Sequence, residues 1–112
     1  MLRGKGLWAY REGEIDRAIE IAPRMGATVI IFKVAQGSRY FARSRRIAQE
    51  IRAAGLVPFG WTFLLLDNPR AEAQVVVRAL QDGFRGYVFD TESDRCRGRF
   101  TEAAQLGQYL RV

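Results

Sequence analysis

Short runs of apolar, β-branched and aromatic residues alternate along this chain with segments whose apolar positions recur every three to four residues. The first run, Leu7-Trp8-Ala9-Tyr10, precedes Gly13 to Ala22, where Ile15, Ala18, Ile19 and Ala22 fall at i, i+3, i+4 and i+7. That spacing is one face of a helix. Gly26 ends it, and Thr28 to Val34 reads as a strand because β-branched residues dominate it. A helix is predicted from Phe41 to Ala54, stopped by Gly55, and a third strand over Val57 to Phe63. Asn68 and Pro69 are the cap and first residue of a third helix, which runs through Leu80 towards Gly83. Tyr87 to Asp90 is the fourth strand and Phe100 to Leu110 the fourth helix, with Thr101 as its cap.

Strand starts near residues 7, 28, 57 and 87 are spaced by 21, 29 and 30 residues, the length of βα units. Near-continuous apolar strands predict a parallel sheet covered by helices. The expected fold is therefore α/β, a (βα)4 unit occupying residues 1–112 as one domain with no linker or low-complexity tract. A flavodoxin-like sheet requires a fifth strand and a reversal of winding. Half of a TIM barrel requires this repetition and places functional residues at the strand C-terminal ends. The half barrel is the reading adopted. On the third strand Pro58, Gly60 and Thr62 share one face, and these small residues are expected to point inward and leave room for a ligand.

Composition narrows the chemistry. The 112 residues contain no histidine and one cysteine, Cys96, which removes Ser-His-Asp and Cys-His catalysis, an internal disulfide and a histidine- or cysteine-built metal site. No metal or cofactor is expected. Eighteen basic against twelve acidic residues give +6, which suits a nucleic acid, an anionic cell wall or an acidic polysaccharide. No apolar stretch is long enough to span a membrane, and the N-terminus lacks a signal-peptide core, so a cytoplasmic product is expected if Met1 is the native start.

Candidate chemistry concentrates at Asp90-Thr91-Glu92. At a strand end both carboxylates point to one face, with Cα atoms roughly 6–7 Å apart at about 3.3 Å per residue. Such a pair can divide acid and base work on a glycosidic bond, Glu92 as general acid and Asp90 as its partner. The competing readings are two solvated loop residues, or Asp90 as a helix cap. Lys33 closes an apolar strand with the parity of Val29 and Ile31, so it either pairs with Asp90 or Glu92 or emerges into solvent. Tyr10 offers a ring for stacking on a sugar, whereas core packing is preferred for Trp8 and Trp61. Arg39, Arg43, Arg45, Arg46 and Arg52 lie around the second helix with Tyr40 and Phe41. A solvated helix face is preferred there over nucleic-acid binding, because no recognised nucleic-acid motif accompanies the arginines. The flanking Arg95 and Arg97 are expected to favour the Cys96 thiolate, although no resolving thiol or imidazole is present to use it.

Four segments resemble glycoside hydrolase family 25 lysozymes, which are (βα)-barrel muramidases. Val29 to Gly37 is similar to their F-x-x-x-K-A-T-x-G segment, Ala53 to Phe63 to their A-G-L-x-V-G-x-Y strand, Glu72-Ala73-Gln74 to an E-A-x-x-F helix, and Val88 to Glu92 to the D-x-E that carries their catalytic carboxylates. The resemblance implies hydrolysis of an amino-sugar polymer by Asp90 and Glu92, with Asp90 as base or as the group that stabilises an oxazolinium-type intermediate. It also implies substrate contacts from Lys33, Gln36, Tyr10 and Thr62. Trp8 replaces the strand-one aspartate of that family, and Thr62 its strand-three tyrosine. Strands five to eight are not among these residues. The expectation is a fragment of a longer (βα)8 protein, or a homodimer in which two copies close the barrel; an inactive, self-assembling or carbohydrate-binding (βα)4 scaffold is the alternative.

Overall fold

The computed structural model describes residues 5–91 and 96–110. The chain runs β1 (Lys5–Ala9), a short 3-10 turn (Glu12–Glu14), α1 (Ile15–Met25), β2 (Ala27–Gln36), β3 (Arg39–Tyr40), α2 (Ser44–Ala53), β4 (Val57–Phe63), α3 (Pro69–Gln81), β5 (Gly86–Asp90) and α4 (Phe100–Tyr109). The strands β1, β2, β4 and β5 lie side by side in that order, each pair parallel. The result is a mixed α/β fold with a mostly parallel sheet.

The repeating βα pattern forms because each element has one buried face. Ile15, Ala18 and Ala22 of α1, Ile47, Ala48 and Ile51 of α2, and Val75 and Ala79 of α3 share a core with Ile30, Phe32 and Val34 of β2. Leu7 and Tyr87 pack on the same core, so these helices cover one face of the sheet. Each fully buried isoleucine or phenylalanine there contributes about 1.5–3 kcal/mol through removal of apolar surface from water. The α4 helix joins that side too, with Leu106 against Leu64, Leu66, Ala73 and Phe89.

Turns are set by a few residues. Gly26 and Gly55 adopt φ of 69° and 79° after α1 and α2, a left-handed conformation that glycine takes without steric penalty. Asn68 caps α3 as expected, its Oδ1 accepting from the Ala71 amide at 3.1 Å, with Pro69 at the first helical position.

Three expectations change. The second helix starts at Ser44, not Phe41, because Arg39 and Tyr40 turn back as β3 and pair antiparallel with Gln36 and Ala35. They take the flank of β2 that β1 leaves beyond Phe32. The fourth helix begins at Phe100 with Arg99 at its cap position, so Thr101 lies inside the first turn and caps nothing. The faces of the third long strand are the reverse of the expectation. Pro58, Gly60 and Thr62 lie under the helices, and Gly60 is small because the Tyr87 ring and Val34 pack against it. The bulky residues Phe59, Trp61 and Phe63 stand on the other face, which no helix covers among the described residues.

Candidate functional site

Register places four rows across the helix-free face. Gly6, Val29 and Val57 form the lowest, and Trp8, Ile31, Phe59 and Gly86 are aligned in the second. Lys33, Trp61 and Val88 form the next, and Gln36, Phe63 and Asp90 the row at the C-terminal ends of the strands. Gln36 and Asp90 are two strands apart, roughly 9–10 Å at about 4.8 Å per strand.

Gln36 joins this face only because β2 shifts register between Lys33 and Ala35. One extra residue there lets Lys33 and Gln36, three positions apart, point the same way. The carbonyls displaced by the shift find other donors. Val34 O accepts from the Phe41 amide at 2.8 Å, and Ala35 O from the Thr62 hydroxyl at 2.8 Å.

Thr62 is therefore not where substrate contact requires it. It is 1% exposed, under the helices, and its hydroxyl serves the shifted strand. The remaining described candidates do converge. The Lys33 ammonium stands 5.3 Å from the Tyr10 ring, 5.4 Å from Trp61 and 4.7 Å from Phe63. Trp61 meets Trp8, Tyr10 and Phe63 edge-on, with centroids 5.5, 4.9 and 5.3 Å away. Its indole N–H reaches over β2 to donate to Ala9 O at 3.3 Å. These contacts leave Trp61 1% exposed, whereas Trp8 is 55% and Tyr10 52% exposed. Trp61 thus forms a buried floor, though not under a helix, and Trp8 is an accessible ring and not the core residue expected.

Two opposed effects act on Lys33. Partial burial lowers its pKa, and the nearby Asp90 carboxylate raises it. Register sets Asp90 on the same face as Lys33, two strands away. Cation–π attraction also favours the charged ammonium, typically by about 0.5–2 kcal/mol. Glu92 lies outside the described residues, as does Arg95.

A buried carboxylate in the first turns of α3, named above only for its likeness to an E-A-x-x-F helix, shapes the rim. Glu72 is 2% exposed; its Oε1 accepts from the Leu65 amide at 2.9 Å and its Oε2 from the Leu66 amide at 3.0 Å. It thereby holds the β4–α3 loop, in which Leu66 has φ of 61°, a conformation that costs a non-glycine residue about 1 kcal/mol. Arg99 ties down the same loop, donating to Leu66 O at 3.1 Å and lying 3.6 Å from Asp67. The signal for Glu72 was its place one turn after the Asn68 cap, where a carboxylate can turn back onto preceding amides.

Cys96 behaves contrary to expectation. Its thiol donates to Leu64 O at 2.6 Å, and its pKa is raised, first by burial and then by Glu72, against an opposing effect of Arg99. The arginines near α2 are partly engaged. Arg43 and Arg46 both contact Glu12, Arg46 also approaches Glu50, and Arg52 donates to Gly83 O. Among the described residues no group of three potential ligands is placed to hold a metal ion. No helix there is long and apolar enough to cross a membrane. No protein-family model, curated protein or solved structure matches the chain significantly.

Proposed function

We propose that the helix-free face is the interior of half a TIM-type barrel, and that its strand C-terminal ends bind an amino-sugar chain. The observation carrying this reading is the convergence of Tyr10, Lys33, Gln36 and Asp90 at one end of one face, around Trp61 and Phe63. Barrel enzymes of this kind place substrate at that end of the sheet. The half-exposed rings of Trp8 and Tyr10 offer apolar faces to the C–H faces of a pyranose, while Gln36, Lys33 and Asp90 offer polar partners for its hydroxyl and amide groups. The similarity of Val88 to Glu92 to the muramidase D-x-E adds a chemistry to the binding surface. Glu92 would protonate the leaving oxygen, and Asp90 would stabilise the positive charge that develops on the sugar, once a second half completes the barrel.

A binding role without hydrolysis is the second reading, and the position of Trp8 favours it. The residue standing where the resemblance calls for an aspartate is an exposed ring on the binding face. Calorimetric titration with soluble peptidoglycan fragments, run beside a product assay, separates the two. Binding with release of reducing ends that Glu92→Gln abolishes supports the hydrolase. Binding without products supports the scaffold. Absence of heat at millimolar fragment sinks both.

A further inference from the structure

We infer that the helix-free face is closed by a second copy of this chain, with β5 of each copy pairing in parallel with β1 of the other. The inference rests on the half-barrel reading above and names the partner that completes its site. Three features point to self-association. First, the four long strands are parallel and in sequential order, so the two outer edges of the sheet have the same polarity. A twofold axis along the sheet then brings β5 of one copy beside β1 of the other twice, and eight strands leave no edge.

Second, both edges are aromatic on the inner face. Trp8 stands on β1, 55% exposed. At the opposite edge the Phe59 ring lies over Gly86, whose missing side chain makes that position possible. Joining the edges would bring these rings together away from water.

Third, exposed apolar side chains are concentrated at the outermost elements. Seven large ones are exposed among the described residues. Trp8, Tyr10, Met25, Phe100 and Tyr109 belong to β1, the turn after it, α1 or α4, and only Val77 and Leu80 to the central α3.

Sedimentation velocity between about 1 and 100 μM tests the proposal, a range that brackets dissociation constants of ordinary association strength. The expected species is a discrete dimer. Trp8→Glu raises its dissociation constant about 10-fold or more, as loss of a buried interface aromatic does, and Val77→Glu leaves it unchanged. Because Trp8→Glu also touches Trp61, Val88→Glu on the helix-free face of the opposite edge strand provides a second variant with the same expected shift. A monomer throughout the range overturns the proposal. So does an assembly that keeps growing with concentration, or a dimer indifferent to both variants. Sugar titration is read separately: a dimer that binds no fragment leaves closure standing and removes the carbohydrate reading, and a monomer that binds fragments does the opposite.

Discussion

Lys33 sits where three kinds of force meet: partial dehydration disfavours its charge, while the Asp90 carboxylate and the rings of Tyr10, Trp61 and Phe63 favour it. Desolvation prevails, and the pKa lies below that of a free lysine. Removing the carboxylate takes away an opposing influence, so Asp90→Asn should lower the Lys33 pKa further. Titration of the side-chain amine by nitrogen-15 NMR measures this directly. An unchanged midpoint would mean that Asp90 does not act on the ammonium. Much of this pair was legible beforehand. The parity of Lys33 with Val29 and Ile31, and the location of Asp90 at a strand end, follow from the period-two geometry of strands. Gln36 was a different case, because a plain alternation from Lys33 assigns it to the helix side. Only the register shift at Val34 and Ala35 turns it round, and nothing in the local residue types announces that shift.

At the level of elements, the strand–helix rhythm was readable because each helix carries a clear apolar stripe and each strand is dense in branched or aromatic residues. The faces of β4 were misassigned for a physical reason. Alternation identifies which residues share a side but not which side meets the helices, and small residues can signal a cavity or a close approach. At Gly60 it is the close approach of Tyr87 and Val34. The β4–α3 connection shows the same limit, since Glu72 looks in sequence like an exposed helical residue yet is buried against two amides. Glu72→Ala leaves both N–H groups without their acceptor and should destabilise the protein by about 2–4 kcal/mol. Glu72→Gln retains one acceptor oxygen and should lose less. Urea unfolding of the two variants checks the order; equal, small losses would show that the loop does not depend on the carboxylate.

For the molecule as a whole, raising the pH well into the alkaline range should weaken the fold through two tyrosines. Burial first, and then the Asp82 carboxylate that accepts the Tyr40 hydroxyl at 2.7 Å, raise the Tyr40 pKa. Burial raises that of Tyr87 against an opposing influence of the nearby Thr62 side chain, and among the described residues its hydroxyl has no full hydrogen bond. With folded values above the unfolded value of about 10, the native state holds protons that the unfolded chain releases. Stability from these groups is therefore complete below pH ~10 and declines as pH rises beyond it. Tyr87→Phe should flatten that decline with little loss at neutral pH, because the neighbouring Thr62 hydroxyl keeps its bond to Ala35 O. Urea midpoints between pH ~8 and ~11 test the sign, and a parallel decline in the variant would exclude Tyr87 as a contributor.

The contrast between Trp8 and Trp61 has a practical consequence. These are the only two tryptophans in the chain, one open to solvent and one enclosed, with their rings 5.5 Å apart. The protein thus carries its own pair of optical reporters on the surface of interest. Iodide can quench the outer indole while sparing the inner one, and any ligand or protein that covers this face must shield the outer emitter first. Occupancy of the sheet can be followed in unlabelled protein, before its chemistry is known.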